Sequence, residues 1–483
     1  MNEEMLQLEP SAVWKNFSKL NAVPRPSKKE ERVIAFIMDF GATLGLETFK
    51  DEVGNVIIRK PASSGFERKK MVTLQSHLDM VHQQNSDTDF DFDTQGIQMR
   101  IEGDWVKAEG TTLGADNGMG VAAIMALLES KNIPHPPLEA LFTVDEETGM
   151  TGAFGLKGGI LKGEILLNLD TEEDDEIDIG CAGGIDVTAK RSYNEKTSVH
   201  GDIGFEIKVN GLNGGHSGMD IRRGLGNANK IMNRLLYAGL SYNMRLALLE
   251  GGSLRNAIPR ESYAIINIDK TQETAFLVAF EKTANEIKEE LQFVEKELQI
   301  SITPRKPSKK VMGLGVQGKF LRGIYAAHNG VYTMSSSIPD LVETSNNIAK
   351  VIVKDGEIEI GCLTRSSVET AKMDLAQALK ATFELAGFDV AFSATYPGWN
   401  PNPNSEILKI VKNSYIDLFK ETPRVVACHA GLECGILGQN YPEMDMVSFG
   451  PTILGAHSPD ERVGISSVQK FWKFLLEILR HTP

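Results

Sequence analysis

The segment Leu138-Glu-Ala-Leu-Phe-Thr-Val-Asp-Glu-Glu-Thr-Gly149 constrains this chain more than any other. Its stretch Leu141 to Val144, apolar and partly β-branched, has the composition of a short buried strand. It runs directly into three carboxylates, Asp145, Glu146 and Glu147, with Gly149 behind them. Three adjacent acids at the end of a buried strand repel one another unless a cation stands among them, and a metal ion is the simplest such cation. An acidic turn that caps the following helix gives the same pattern without a metal. On the triplet alone the capping turn is the favoured reading, because acidic turns are common.

The pattern recurs. Val53 to Arg59 and Met71 to Gln75 read as strands, and the second ends at Ser76-His77-Leu78-Asp79-Met80. His77 and Asp79, two apart, leave a strand on the same side. A ligating imidazole has its other nitrogen held by a carboxylate, and Asp79 is placed for that task. Leu113-Gly-Ala-Asp116-Asn-Gly-Met-Gly precedes an apolar helix, Val121 to Leu128. Asp116 there is either an N-cap or a carboxylate presented to a metal. Ile165 to Asp170 is another apolar strand ending in an acid. Strands alternating with helices predict an α/β fold with a mainly parallel sheet sandwiched by helices, whose site lies beyond the carboxyl ends of its strands. Repetition of a His or a carboxylate at those ends favours the metal reading over the capping one.

A chain of 483 residues exceeds one ordinary domain. At the N-terminal end, Ala12 to Leu20 reads as a helix, and Ser27 with Glu30 as a capping box opening a second helix through Phe40. After Cys181-Ala-Gly-Gly184 the texture changes to a half-exposed strand (Phe205 to Asn210), a helix from about Asn227, strands at Leu246–Leu249 and Ala264–Ile268, and a charged helix, Phe276 to Leu291. A weak echo follows, with Asn346-Asn-Ile leading into Lys350–Val353, then Glu357–Leu363 and a helix Thr370–Ala386. Tyr396 to Asn404 is rich in turn formers, after which the first texture returns. The expected organisation is a discontinuous domain, 1–184 and 397–483, with an inserted α+β domain at 185–396 made of two related subunits, about 185–305 and 306–396. The glycines at 180–184 and the Pro/Asn run at 396–404 are the expected hinges.

A net charge of −14 argues against nucleic acid and against an anionic membrane surface as partners. No apolar run has the length of a membrane span, and the acidic start, Met1-Asn-Glu-Glu, is unlike a secretory leader. Four cysteines suit a reducing compartment, so a cytoplasmic protein is expected. Cys428-His429 with Cys434 does not have zinc-knuckle spacing and reads as buried structural cysteine; His82 and His135 read as solvated loop residues.

Taken in order, Ser76-His-Leu-Asp79, Gly114-Ala-Asp116, Asp145-Glu-Glu-Thr-Gly149, Gly214-Gly-His-Ser-Gly218 and Gly455-Ala-His457-Ser resemble the M20 family of di-zinc metallopeptidases, most nearly its aminoacyl-histidine dipeptidase branch. The resemblance spans nearly the whole chain. It implies a zinc-peptidase-like catalytic domain with a lid and a cofactor of two divalent ions, Zn²⁺ first, with Mn²⁺ or Co²⁺ as alternatives. His77 and Asp170 would hold one ion, Glu147 and His457 the other, and Asp116 would bridge them. Glu146 would be the general base and Asp79 would orient His77. His216 would meet the substrate or the oxyanion, Asn256 and Arg365 would bind substrate, and Glu433 would be a substrate contact. For Arg365 a surface position on a strand end is the competing reading. Three ligating carboxylates against two divalent ions leave the ligand set at about +1, a sign suited to an anionic tetrahedral intermediate. The implied activity is hydrolysis of unblocked dipeptides, Xaa-His and others, in the cytoplasm. The alternatives are N-acyl amino acid deacylase, aminotripeptidase, or a catalytically silent binding protein. The implied partner is a small peptide substrate, and a homodimer stays open.

Overall fold

The structure, a computed structural model, describes residues 4–483; the acidic start at residues 1–3 lies outside the described residues. By internal packing the chain forms two compact units. The first runs to Gly180 and resumes at Trp399–Ala427 and Leu432–Pro483; the second comprises Cys181–Gly398 and Cys428–Gly431. Thus Cys428–Gly431, inside a stretch that sequence assigns to the first texture, packs with the second unit.

In the first unit, Leu138–Thr143, Val72–His77 and Ile165–Asn168 are buried at every residue, as strands covered on both faces must be. With Asp445–Ser448 they make the parallel centre of an eight-stranded sheet. The flanks are antiparallel: Glu47–Lys50 and Val56–Lys60 on one side, Glu176–Cys181 on the other. The strands whose ends carry His77, the Glu146–Glu147 pair and Asp170 all lie in this parallel centre. The helix Ala115–Glu129 is apolar on all sides and almost wholly buried. Its Met119, Ala122 and Ala126 share one apolar cluster with Trp14 and Phe17 of the helix Ser11–Asn21. Leu141 and Leu166 join Cys434 and Leu437 in another. A small four-stranded sheet includes Ile453–Leu454 and Arg462–Gly464, which pair antiparallel and hold the loop 455–461 between them. Among the described residues, no helix is long and apolar enough to cross a membrane.

The second unit is built on a nine-stranded antiparallel sheet. One half has the order β-α-β-β-α-β along the chain: Asp202–Asn210, helix Ala228–Gly239, Arg245–Gly251, Ser262–Asp269, helix Glu273–Leu291 and Gln299–Arg305. The other half repeats it with Gly183–Ser192, helix Leu314–Ala326, Val342–Lys354, Glu357–Ser366, helix Glu369–Leu385 and Asp389–Tyr396. From each outer edge inward the strands stand fourth, first, third, second, and the two second strands pair at the centre. The halves are therefore nested, not consecutive. The second half does not begin at 306: its first strand, Gly183–Ser192, pairs with Glu357–Ser366 and Asp389–Tyr396, and the whole first half is inserted after it. Asn346 and Asn347 lie within a strand instead of leading into one, because their buried side-chain amides reach the carbonyls of His328, Arg255 and Ala257.

Two local expectations fail for tertiary reasons. Ser27 and Glu30 form no capping box; the Ser27 hydroxyl donates to Asp79 Oδ2 at 2.8 Å, and the helix Glu31–Thr43 starts without a side-chain cap. His135 is not solvated but 3% exposed, with Nδ1 2.7 Å from the carbonyl of Pro136.

Beneath the parallel strand ends runs a buried polar chain. Ser448 donates to Asn168 Oδ1, and the hydroxyls of Ser448 and Thr171 are 2.8 Å apart. Thr171 Oγ1 lies 2.9 Å from Asp178 Oδ2. The Thr171 hydroxyl donates to that oxygen, so the chain of side chains ends on a buried carboxyl. Burial pushes the Asp178 carboxyl up to about 7, against the hydrogen bond from Thr171, which lowers it. An acid ionising more readily in the unfolded chain than in the folded one removes stability as pH rises from its ordinary value, 3.8, to about 7. The slope from one group is at most about 1.4 kcal/mol per pH unit. Asp178→Asn is expected to gain on the parent protein through that window and to level off above it, as read by denaturant unfolding of both proteins at pH 5 and pH 8.

Candidate functional site

All but one of the acids and imidazoles that come together stand at or just past a strand end or at the start of a helix. His77 closes Val72–His77, Glu146 and Glu147 open the short helix Glu146–Gly149 just past Leu138–Thr143, and Asp170 follows Ile165–Asn168. Because these strands are parallel, one edge of the sheet receives all of them. Asp116 stands in the first turn of Ala115–Glu129 with non-helical backbone angles, and His457 lies in the loop 455–461 at φ 62°. His77 Nε2 is 3.2 Å from Asp116 Oδ1 and 3.5 Å from Asp170 Oδ1. His457 Nε2 is 3.2 Å from Asp116 Oδ2 and 3.0 Å from Glu147 Oε2. The two oxygens of Asp116 thus face different imidazoles. Potential ligand atoms lie within 4.8 Å of one another in the sets His77–Asp116–Asp170, Asp116–Glu147–His457 and His77–Glu146–Glu147.

The electrostatics ask for cations. Burial raises the Asp116 carboxyl, but hydrogen bonds from His457 and His77 outweigh it and hold it far below the usual range. Burial opposes charge on His77, yet the Asp170 charge and the hydrogen bonds to Asp116 and Asp170 raise its pKa well above the ordinary value. Hydrogen bonds to Asp116 and Glu147 lift His457 to about 11. Burial lifts the carboxyls of Glu146, Glu147 and Asp170 as well. Protons on the imidazoles are thus held where positive charge is most needed. Glu147 Oε1 is buried and has no hydrogen-bond partner, which a carboxylate tolerates poorly unless it ligates. Imidazole and carboxylate, without thiolate, make a donor set that suits two divalent ions sharing Asp116.

Asp79 does more than hold His77. His77 Nδ1 is 3.1 Å from the main-chain oxygen of Asp79 and 3.4 Å from its carboxylate. The carboxylate itself accepts from the amides of Glu146 at 3.0 Å and Glu147 at 3.3 Å. It therefore fixes the two glutamates as well as the imidazole. The Glu146 carboxylate accepts no hydrogen bond from the described residues. Glu433 is wholly buried, its Oε2 accepting from Gln75 Nε2 and Thr143 Oγ1, each at 2.6 Å, and burial raises its carboxyl to about 8.

The second unit carries His216, Asn256 and Arg365. His216 Nδ1 accepts from the amides of Gly218 and Met219 at 3.3 and 3.1 Å, so the ring proton of the neutral form is on Nε2. Burial, then the charge of Arg365, lowers its pKa to about 4. The Asn256 carbonyl accepts from Ser217 N at 2.7 Å, while its side chain is exposed. Arg365 is 4% exposed, which removes the surface reading; it donates to the Tyr396 hydroxyl at 2.6 Å, and its Nε has no partner. No carboxylate among the described residues lies within ion-pair distance of it. Two neighbours escaped sequence reasoning. In the sequence Tyr396 marks only the edge of a turn-rich run, and His429 stands only beside Cys428. His429 is 6% exposed, bonded through Nε2 to Ser345 Oγ at 2.8 Å, and held neutral by burial and by Arg365. Nothing in its local sequence announces this, since its partners are 84 and more residues away.

Comparison with known proteins adds an independent line. The sequence model of Peptidase family M20/M25/M40 matches residues 73–481. The chain is 44% identical over 485 residues to the cytosol non-specific dipeptidase of Escherichia coli, covering 99% of each. It is similar to the crystal structure of the aminoacylhistidine dipeptidase from Vibrio alginolyticus, with a TM-score of 0.94 and 42% identity over 100% of this chain and 99% of that one. The aminopeptidase PepT of Bacillus cereus shares the fold at a TM-score of 0.57, with 16% identity over 98% of each chain.

A divalent ion entering this site displaces the protons that Asp116, Glu147 and Asp170 hold on the imidazoles. Apparent metal affinity is therefore expected to rise with pH up to about 11, where His457 loses its own proton. Calorimetric titration in two buffers of different ionisation enthalpy measures the protons released, and a buffer-independent heat at pH 7 would contradict the expectation.

Proposed function

The chain belongs to peptidase family M20/M25/M40, and from that premise we propose that it is a cytosolic metallo-dipeptidase that hydrolyses unblocked dipeptides, Xaa-His among them. The observation that carries the reading is the Asp116 carboxylate, whose two oxygens face His77 and His457 on either side. We assign His77, Asp116 and Asp170 to one ion and Asp116, Glu147 and His457 to a second, with Zn²⁺ as the resident metal and Mn²⁺ or Co²⁺ as substitutes. Bound there, the two ions supply Lewis acidity that acidifies water and polarises the peptide carbonyl.

The chain's own groups do the rest. Glu146, adjacent to a ligand and free of hydrogen bonds from the described residues, takes the proton of the attacking water and passes it to the leaving amine. Asp79 keeps Glu146 and Glu147 in register through their amides. In the second unit, which we read as the lid with two related halves, His216 offers an Nε2 proton to a developing oxyanion. Arg365, buried without a carboxylate partner, suits the terminal carboxylate of a dipeptide, with Asn256 as a further substrate contact. The names of the Escherichia coli and Vibrio alginolyticus relatives favour dipeptides over acylated amino acids or tripeptides.

Glu146→Gln is expected to keep both ions and lose roughly 10²–10⁴-fold in kcat; near-parental turnover with full metal content would remove Glu146 from the base role. A chelator is expected to abolish hydrolysis and Zn²⁺ to restore it. On a substrate panel, free amino acids should appear from Xaa-His and other unblocked dipeptides. Release from N-acyl amino acids or tripeptides instead would move the assignment to a deacylase or an aminotripeptidase.

A further inference from the structure

We propose that Glu461 and Arg25 are the positioning residues of the metal centre: Glu461 caps the helix in place of Asp116, leaving the Asp116 carboxylate free for two cations, and Arg25 ties the Asp116 turn to the His77 turn. The proposal rests on the reading of Asp116 as the bridging ligand.

An aspartate in the first turn of a helix ordinarily turns its side chain back onto the unpaired amides of that turn. The turn before Ala115–Glu129 offers a run of such donors, and Glu461 takes them. Its Oε2 accepts from Leu113 N at 2.7 Å and Gly114 N at 3.0 Å. Its Oε1 accepts from Ala115 N at 2.7 Å and Asp116 N at 3.3 Å. A carboxylate has about four acceptor sites, and Glu461 commits all of them to consecutive amides of one turn. It is 2% exposed, and its negative charge lies at the N-terminal end of a helix, where the helix dipole favours it. The amides thus have an acceptor, and the Asp116 carboxylate points at His77 and His457 instead.

Arg25 completes the arrangement from the carbonyl side. Its Nη2 donates to Gly114 O at 2.5 Å and to Asn21 Oδ1 at 3.2 Å. Its Nη1 donates to Leu78 O at 3.0 Å and Asp79 O at 3.1 Å. One guanidinium therefore spans the turn that carries Asp116 and the turn that follows His77. Arg25 is 1% exposed, and no carboxylate among the described residues is within ion-pair distance of it. Burying such a cation is expensive, and the nearby charges of Glu461, Asp79 and Asp116 offset that only in part; joining two ligand-bearing turns gives that expense a purpose. The glycines around Asp116 are cut to the same shape. A Cβ on Gly114, at φ 70°, would lie 2.5 Å from Arg25 Nη2, and one on Gly118 would lie 2.6 Å from it.

The test uses the full chain as parent, E461Q and R25K, each stripped of metal and titrated with Co²⁺, with uptake, visible absorption and melting of the metal-free protein recorded together. E461Q keeps the shape but presents an NH₂ group to amides that need an acceptor. R25K keeps the charge, but one ammonium cannot span both turns. Both variants are expected to bind Co²⁺ roughly 10–100-fold more weakly than the parent and to change its absorption bands: in E461Q Asp116 is drawn toward the amides, and in R25K the Asp116 turn and the His77 turn lose their common tie. A merely structural role predicts a lower metal-free melting point with parental affinity and spectrum in the folded protein, and that result would overturn the proposal. If E461Q does not fold, R25K decides alone by the same two readouts. A parent protein that takes up no more than one ion would sink the metal reading and this proposal together; two ions in the parent with unchanged variants would sink this proposal only.

Discussion

Negative charge crowded at the ends of parallel strands is the constraint around which the first unit is arranged. Asp79, Asp116, Glu146, Glu147 and Asp170 share a region where any one of them, buried alone, would be strongly unfavourable. Four of the five are dealt with by different devices. Asp79 is neutralised by main-chain amides and a hydroxyl. Asp116 is bracketed by two imidazoles. Asp170 receives Asn117 and faces His77. Glu147 meets His457 with one oxygen and nothing with the other. What is left uncompensated is the charge that two divalent ions would balance, so the imbalance among these groups would itself favour metal uptake.

The fold makes this crowding possible. Antiparallel strands would send alternate ends to opposite edges; only the parallel centre delivers His77, the Glu146–Glu147 pair and Asp170 to one edge. The hairpin of Ile453–Leu454 with Arg462–Gly464 then brings in the loop 455–461, which contributes both His457 and Glu461. A single loop thus supplies a group facing Asp116 and the carboxylate that holds its backbone. The buried hydroxyl and amide side chains beneath, from Asp178 through Ser448 and Asn168 to Gln75, replace apolar packing with directional bonds under the strands that must hold their ends still.

The second unit uses the opposite sign of charge. Arg365, His216 and His429 form a cluster in which only the guanidinium is cationic, since burial and its own field keep both imidazoles neutral. Such a cluster offers one fixed charge and neutral donors, the pairing that recognises a carboxylate beside a polar group. The nested halves place these groups from widely separated parts of the chain. Arg365 comes from the outer half, which begins at Gly183, and His216 from the inserted half.

The chemistry of the site was legible in the sequence because it is local: His77 with Asp79, Asp116 among glycines, and Glu146 with Glu147 after an apolar run each reveal a strand end carrying a polar group, whatever lies across the fold. The central strands and their direction were legible for the same reason, since apolar runs alternating with helices leave few topologies. Properties set by a distant partner were not. The Ser27-to-Glu30 pattern promised a cap, and the hydroxyl went to Asp79 instead. Asp116 looked equally like a cap, and it took Glu461, 345 residues away, to relieve it of that duty. The nested order of the second unit, the burial of Arg365 and the tie made by Arg25 depend on strand pairing and side-chain reach across the fold. Sequence determined which groups the chain can offer to a cation, because spacing along a strand fixes the side on which they emerge; tertiary structure alone decided which remain free to bind one, because a carboxylate goes to whichever donors folding leaves nearest.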